Sequence, residues 1–208
     1  MKPYLSVIIP SYNEEDRITK TLERIYQYLA KQEFPWEILI VLDGPTDGTL
    51  KKVELFCRGK DQLRIIDRTV NRGKGYTVRE GMRAAGGDIR LFADADNSTD
   101  ISHFDAMKPL FKGGCDIVIC SRDAKDAPGA TQAVSQRWWK RLLGDAGNLF
   151  VQLVAVRGIW DTQCGFKAFR AEAAERIFSV AVIDRWGFDI EALALARSFG
   201  FKICIVPA

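Results

Sequence analysis

Two carboxylates at the end of a hydrophobic segment are the residues of this 208-residue chain whose types and spacing most clearly suggest chemistry. Asp94 and Asp96 follow the apolar run Leu91-Phe-Ala93 and are separated by one small residue. If this run is a strand of a sheet covered on both faces, its carboxyl end lies where open α/β sheets bind their ligands. Carboxylate oxygens suit a hard divalent cation. The pair is therefore our candidate metal site, although a single Asp-x-Asp is more often a solvated turn.

Two earlier apolar segments end in the same way. They lead into Pro10-Ser-Tyr-Asn-Glu14 and into Asp43-Gly-Pro-Thr-Asp47. The carboxyl ends of parallel strands meet at one edge of a sheet, so an aromatic ring and several carboxylates are predicted to converge there. This combination suits a nucleoside diphosphate: Tyr12 would pack on the base, Asp43 would accept hydrogen bonds from base or ribose, and a metal would bridge the acids and the diphosphate. Taken singly, the tyrosine is more often a packing residue and Asp-Gly a plain turn.

The elements that must position these residues alternate along the chain. Short apolar runs separated by amphipathic helical patterns call for βαβ units, and hence for one domain with a mostly parallel twisted sheet and helices on both faces. The predicted strands are Leu5–Ile9, Glu37–Leu42, Leu63–Ile66, Asp88–Ala93 and Asp116–Cys120, followed by a loop over Asp123–Ala133, a helical stretch over Gln136–Val156, a return strand within Asp161–Phe169, helices over Ala171–Phe178 and Phe188–Arg197, and an apparent last strand.

Composition excludes several classes of protein. Lys and Arg number 30 against 27 for Asp and Glu, a net charge of +3, which argues against a broad basic face for nucleic acid. Five scattered cysteines and one histidine argue against structural zinc and predict reduced thiols in the cytosol. No apolar run approaches the eighteen or so residues of a membrane span, so a soluble or peripheral protein is expected. We also expect that more polypeptide follows Ala208.

The ordered motifs resemble those of the family 2 glycosyltransferases, and among them the dolichyl-phosphate or polyprenyl-phosphate hexose synthases, particularly the glucosyl-type branch. The resemblance runs from about Leu5 to Pro207. It is carried by Pro10-Ser-Tyr-Asn-Glu-Glu15, Asp43-Gly-Pro-Thr-Asp-Gly-Thr49, Asn71-Arg-Gly-Lys-Gly75, Asp94-Ala-Asp96, Thr162-Gln-Cys-Gly-Phe-Lys167 and Arg185-Trp-Gly-Phe-Asp-Ile-Glu191.

The resemblance implies a single GT-A type, Rossmann-like domain that binds a nucleotide-sugar with Mg²⁺ or Mn²⁺ and transfers the sugar with inversion. Residues 1–122 would form the nucleotide-sugar half and residues 123–208 the acceptor half. UDP-glucose is the favoured donor. Some mannose synthases place Gln two residues beyond the second acid, where this chain has Ser98, which slightly weakens the case for mannose. By motif position the nucleotide ligands would be Pro10, Tyr12, Glu14, Asp43, Lys74 and Asp94, and the metal ligands Asp94 and Asp96.

The acceptor can be argued from chemistry. Transfer at an anomeric carbon passes through an oxocarbenium-like state, so charge building on the departing diphosphate must be stabilised. A hydroxyl acceptor also needs a general base, whereas a phosphate acceptor is already an anion and needs cations to position it. Such cations follow the fifth predicted strand: Arg122, Arg137, Lys140 and Arg141. Trp138 and Trp139 among them suit either a helix on a membrane surface or two buried tryptophans.

The expected function is therefore glucosyl transfer to a polyprenyl or dolichyl phosphate, at the cytoplasmic face of a membrane. Asp189 is our candidate for a catalytic contact with the sugar or acceptor, with helix capping as its structural alternative. A second hypothesis keeps the donor but uses a glycan hydroxyl as acceptor, with Asp189 or Glu191 as base. A third is a protein that binds a nucleotide-sugar without turnover.

Overall fold

A computed structural model describes residues 2–130 and 156–208 as one seven-stranded sheet with helices on both faces. The strand order is β3-β2-β1-β4-β6-β5-β7, and every strand is parallel to its neighbours except β6, which runs antiparallel to β4 and β5. The strands are β1 (Leu5–Ser11), β2 (Trp36–Asp43), β3 (Leu63–Arg68), β4 (Ile89–Ala93), β5 (Ile117–Ser121), β6 (Phe166–Arg170) and β7 (Ile203–Pro207). The mostly parallel sheet predicted from the sequence is confirmed.

The helices predicted over Ala171–Phe178 and Phe188–Arg197 are confirmed, with ends that differ by at most two residues. Within the described ranges they are α1 (Ile18–Leu29), α2 (Thr49–Cys57), α3 (Lys74–Ala84), α4 (Phe104–Lys112), α5 (Ala171–Val180) and α6 (Phe188–Ser198), and a 3₁₀ turn (Ile101–His103) precedes α4. Within this part of the chain, none is long and apolar enough to cross a membrane. The predicted acceptor cations Arg137, Lys140 and Arg141, together with Trp138 and Trp139, lie outside the described residues.

The strands β1, β2, β4 and β5 are largely apolar because the sheet buries both of its faces there. Side chains alternate between faces along a strand. On β1, Val7 and Ile9 enter a core that also contains residues of α1, α2 and α4, whereas Ile8 enters a second core with residues of α3, α5 and α6. All seven residues of β1 are buried. Burial on both faces is what removes the polar alternation of a half-exposed strand.

Strand β6 brings the second half of the chain to the acidic edge of the sheet. It inserts between β4 and β5, with Phe92 opposite Lys167 and Ala93 opposite Phe166. The pairing continues past the strand end, where the Asp94 N–H donates to the Gly165 carbonyl at 3.0 Å. Residues that are 71 positions apart in sequence therefore meet beside the candidate metal site.

The cysteines differ from expectation in one respect. Cys115 and Cys204 form a disulfide with their Cα atoms 6.1 Å apart, so the prediction that all five thiols are reduced is wrong for this pair. Cys57, Cys120 and Cys164 are free. The pair joins the start of β5 to its parallel neighbour β7 across a sequence separation of 89 residues. Such a pairing depends on which strands are neighbours in the sheet, and cysteine spacing carries no information about that.

Candidate active site

A cavity of about 440 Å³ opens at the carboxyl ends of β1, β2 and β4. Seven of the residues singled out from the sequence line it: Pro10, Tyr12, Glu14, Asp43, Lys74, Asp94 and Asp96. The parallel strands bring them together because each lies at the carboxyl end of a strand, in the loop after it or at the start of the following helix, at the same edge of the sheet. Its size is in the usual range for small-molecule sites, about 300–1,000 Å³.

The Tyr12 end of the cavity has a fixed backbone and an accessible ring. Asn13 adopts a left-handed conformation with φ of 52°, and its Oδ1 accepts from the Thr46 N–H at 2.8 Å. The Glu14 N–H donates to Thr49 Oγ1 at 2.8 Å. These bonds join the loop after β1 to the loop after β2. The Tyr12 ring stays 45% exposed, which leaves it free to stack on a planar ligand.

Asp43 is almost completely buried, and hydrogen bonds from the neighbouring loop occupy both of its oxygens. Oδ1 accepts from Arg68 Nη2 at 2.6 Å and from the Arg72 N–H at 2.8 Å, while Oδ2 accepts from the Gly73 N–H at 2.8 Å. A carboxylate offers about four acceptor positions, and these bonds use three of them. Its main structural role is therefore to hold the Asn71–Gly75 segment against the cavity.

Asp94 is the more enclosed of the two paired acids. Burial raises the pKa of its carboxyl, and the nearby Lys74 ammonium partly opposes that effect. Lys74 Nζ lies 2.6 Å from Oδ1, although this buried oxygen accepts no hydrogen bond of good geometry. The other oxygen leans over Gly165, where an added Cβ would lie only 2.0 Å from Oδ2. The Asp94 carboxylate thus lies between the Lys74 ammonium and Gly165, where the absence of a Cβ leaves space for it.

Asp96 is exposed, and its Oδ1 accepts from the Ser98 N–H at 2.9 Å. Together the two acids fit a hard divalent cation: both offer oxygen, and one buried oxygen of Asp94 has no hydrogen bond. No group of three or more Asp, Glu, His or Cys side chains is placed to hold a metal within residues 2–130 and 156–208. Such an ion would therefore take its remaining ligands from water and a bound diphosphate, as Mg²⁺ commonly does.

Asp189, the predicted contact to sugar or acceptor, is engaged elsewhere. It lies in the first turn of α6, is 7% exposed, and its Oδ1 accepts from Lys167 Nζ at 2.6 Å. Lys167 is completely buried and also donates to the Cys164 carbonyl at 2.5 Å. The structure does not place Asp189 among the residues that line the cavity. It joins α6 to β6 because a buried ammonium requires a paired anion.

Arg122, the predicted acceptor cation, is held by a carboxylate. Asp161 accepts from Arg122 Nε at 2.7 Å and from Nη2 at 2.9 Å, and also from the Arg122 N–H at 3.0 Å. The hydrogen bond to Asp161 is the largest cause of a raised pKa at Arg122. This bidentate pair fastens the end of β5 to the segment before β6 and is not part of the cavity wall.

Arg185 and Trp186 are among the wall residues that received no role from the sequence. Both line the cavity from the segment between α5 and α6, and Trp186 is 83% exposed. They precede Gly187, whose φ of 98° allows the chain to turn into α6. The sequence did offer a signal for these two residues. A cation and an aromatic residue stand directly before a glycine, inside one of the motifs that carry the family resemblance.

Glu191, the alternative candidate for a general base, accepts hydrogen bonds from two backbone N–H groups. Its Oε1 accepts from the Val182 N–H and its Oε2 from the Ile183 N–H, both at 2.9 Å. Both oxygens therefore hold the segment that carries Arg185 and Trp186. A free general base is not found at either acid of this motif.

Comparison with known proteins gives a consistent set of relatives. The family model Glycosyl transferase family 2 matches residues 6–178. The chain is 37% identical over 212 residues to the dolichyl-phosphate beta-glucosyltransferase of Homo sapiens, covering 96% of this chain and 64% of the human protein. It is 37% identical to the enzyme of the same name from Saccharomyces cerevisiae, covering 98% and 66%. The chain thus spans about two thirds of the length of these relatives.

Solved structures share the fold at lower identity. Glucosyl-3-phosphoglycerate synthase from Mycobacterium tuberculosis in complex with UDP superposes with a TM-score of 0.70 at 19% identity, covering 99% of this chain and 70% of that one. A mannosyltransferase from Pyrobaculum calidifontis in complex with GDP-Man and Mn²⁺ gives 0.64 at 24% identity, covering 100% and 55%. At these identities the likeness establishes the architecture of the sheet and helices.

Proposed function

Because the chain belongs to glycosyltransferase family 2, we propose that it transfers glucose from UDP-glucose to a polyprenyl or dolichyl phosphate. The observation that carries the proposal is the cavity in which Tyr12, Lys74, Asp94 and Asp96 converge. The curated relatives support the sugar and the acceptor, since they are named dolichyl-phosphate beta-glucosyltransferases. The reaction would take place where the lipid acceptor lies, at the cytoplasmic face of a membrane.

Donor binding follows from the geometry of the cavity. Tyr12 stacks on the base, and the Asn71–Gly75 segment, held by Asp43, forms the neighbouring wall. Asp94 and Asp96 would hold a Mg²⁺ or Mn²⁺ ion, which would supply Lewis-acid stabilisation of the leaving group. Lys74 adds positive charge to the cavity wall. Charge that develops on the departing diphosphate is thereby met by groups already in place.

The carboxylates around the site favour a phosphate acceptor over a hydroxyl. A hydroxyl needs a general base, but Asp189 is paired with buried Lys167 and Glu191 holds two backbone N–H groups. A phosphate monoester attacks as an anion and needs no proton removed. Direct attack of its oxygen on the anomeric carbon, opposite the leaving diphosphate, gives inversion in one displacement.

The division of the chain follows the same logic. Residues 1–122 supply the residues proposed to hold the nucleotide and metal. Residues 123–208 supply Arg185 and Trp186 on the other wall. We propose that the second half receives the acceptor.

The proposal is tested with radiolabelled donors. Purified protein, Mn²⁺ and polyprenyl phosphate should convert UDP-glucose, in preference to GDP-mannose, into organic-extractable label, with a β-anomeric signal by NMR. Asp96→Asn keeps an acceptor for the Ser98 N–H but removes a charge, and should abolish transfer. Exposed Asp61, mutated to Asn, is the matched control. Absence of transfer from either donor would contradict the proposal.

Calorimetry separates the non-catalytic alternative. Metal-dependent binding of UDP without consumption of any nucleotide-sugar would identify a binding protein. A full rate in Asp96→Asn would instead remove the metal assignment while leaving the activity.

A further inference from the structure

Residues 180–186, from the last residue of α5 to the segment before α6, concentrate exposed apolar side chains, and one of them, Trp186, lines the cavity. Seven large apolar side chains are exposed in the described residues, and four of them belong to residues 180–186. They are Val180 at 50%, Val182 at 76%, Ile183 at 38% and Trp186 at 83%. Scattered exposed apolar residues need no explanation, but a cluster beside a functional cavity indicates a binding surface.

The backbone of residues 180–186 is held firmly. Glu191 accepts from two consecutive N–H groups of the segment, and the Tyr76 N–H at the start of α3 donates to the Asp184 carbonyl at 3.0 Å. The Asp184 side chain accepts from Arg79 Nη2 at 2.5 Å. Exposure of the apolar side chains is therefore a feature of an anchored loop.

Two glycines of the Asn71–Gly75 segment allow this anchoring. A Cβ at Gly75 would lie 2.3 Å from the Ile183 carbonyl oxygen, and one at Gly73 would lie 2.6 Å from the Asp184 carbonyl oxygen. Real Cβ contacts are never this short, so only glycine permits the two backbones to approach. Residues 183 and 184 therefore pack directly against the Asn71–Gly75 segment, which lines the proposed donor site.

Arg185 places a cation in the cavity wall, beside Trp186 and two residues after Ile183 in the sequence. It lines the cavity and is exposed, and within the described part of the chain it forms no ion pair or hydrogen bond. An arginine fork is well suited to phosphate. The segment therefore offers Arg185 as a ligand for phosphate, together with exposed apolar side chains that are near it in the sequence. A lipid phosphate has the matching combination of a charged head and an apolar tail.

We propose that residues 180–186 receive the acceptor, with Arg185 on its phosphate and Val182, Ile183 and Trp186 against its first isoprene units. This inference rests on the proposed function and adds to it the site at which the prenyl chain is recognised. Among the described residues, the strand-end loops line the cavity mainly with polar side chains, Tyr12 and Ala95 apart.

The test compares two acceptors that share a phosphate and differ in their tails, a long-chain polyprenyl phosphate and butyl phosphate. Val182→Ser with Trp186→Ser should lower the ratio of their kcat/KM values about tenfold, as expected for contacts worth part of a buried Val and Trp. Arg185→Gln should lower kcat/KM for both acceptors by a similar factor. Leu55→Ser, at a side chain of similar exposure on α2, should change neither. A ratio that the double variant leaves unchanged would overturn the inference.

Two binding measurements distinguish failure of this inference from failure of the proposed function. Titration with fluorescent polyprenyl phosphate in detergent, without donor, should show about tenfold weaker binding by the double variant. If wild type binds in this way yet transfers no sugar, the acceptor site stands and the proposed function fails. If wild type transfers sugar but both proteins bind the lipid equally, the inference fails. Loss of binding to phosphatidylcholine vesicles without loss of acceptor affinity would assign the surface to the bilayer and also overturn it.

Discussion

The environment of Asp94 illustrates how much single residues decide at this site. Its position after an apolar strand was evident from the sequence, because a strand end is marked locally. Its partners were not, since Lys74 and Gly165 come from a helix start and from a strand 71 residues further on. The same holds for Arg185 and Trp186, whose place on the wall depends on how α5 and α6 are joined. Local patterns locate a residue on its element, whereas side-chain partners depend on tertiary packing.

Gly165→Ala tests the space that Asp94 needs. The added Cβ would lie 2.0 Å from Oδ2, so the carboxylate must move. Because a displacement of about 1 Å can cost about 100-fold in rate, we expect kcat to fall by that order. Gly86→Ala is the control, since its nearest neighbours would lie at 3.5 and 3.7 Å. A normal kcat in Gly165→Ala, measured with radiolabelled donor, would show that Asp94 need not occupy this position.

The environment of Asp161 predicts how the free energy of unfolding depends on pH. Burial raises the pKa of this carboxyl, but the hydrogen bonds from Arg122 outweigh burial and leave the pKa below its usual value. A folded-state pKa below the unfolded one stabilises the protein above the unfolded pKa of about 3.9, and this contribution is lost as pH falls through the folded value. Asp161→Asn should therefore lower the free energy of unfolding by about 1–2 kcal/mol at neutral pH, a figure reduced because Arg122 is partly exposed.

Urea unfolding at several pH values measures this contribution. The difference between wild type and Asp161→Asn should shrink on acidification, whereas exposed Asp67→Asn should differ little from wild type at any pH. A difference that grows as pH falls would have the wrong sign for a depressed pKa.

At the scale of elements, β6 shows where sequence patterns stop being sufficient. The parallel strands β1 to β5 were predicted within two residues at each end because each contains a short apolar run, which in β1, β2, β4 and β5 is buried on both faces. A return strand was predicted within Asp161–Phe169, and the strand is Phe166–Arg170. Its insertion between β4 and β5 is a non-local pairing. It contains Lys167, a residue type that is rarely buried without a partner, and that partner, Asp189, lies on α6.

The Lys167–Asp189 pair gives the prediction for these elements. Lys167→Met removes the cation and leaves Asp189 buried without its partner, so the free energy of unfolding should fall by about 3–5 kcal/mol. Adding Asp189→Leu should recover part of the loss, because it removes the stranded charge. Equilibrium urea unfolding gives both values. Lys2→Met, which breaks the exposed Lys2–Asp88 pair, should cost less than about 1 kcal/mol. An equal cost for the two lysines would refute a buried structural pair.

For the whole molecule, the Cys115–Cys204 disulfide closes a large loop of the chain. The described part of this loop includes β6, α5 and α6, so the bond constrains most of the second half of the chain in the unfolded state. The sheet order could be argued only in outline from the sequence, as alternating strands and helices. The neighbours of β7, and hence the disulfide, follow from topology that no local pattern records.

Cys204→Ser should therefore destabilise the protein by about 2–4 kcal/mol under oxidising conditions. Dithiothreitol should lower the melting temperature of wild type and leave that of the variant unchanged. Cys57→Ser, at a free and partly exposed thiol, is the control. A melting temperature of wild type that does not respond to reductant would mean that the bond contributes nothing to stability.

The contact of Gly73 and Gly75 with residues 183 and 184 has a consequence for engineering. Loop grafting usually treats an exposed segment as a replaceable module. Here the path of residues 183 and 184 is matched to two glycines on another element, so inserting or deleting a residue, or transplanting the segment alone, would disturb the cavity wall formed by Asn71–Gly75. If residues 180–186 receive the acceptor as proposed, a chimera built for a different lipid would have to exchange residues 71–76 and 180–191 together.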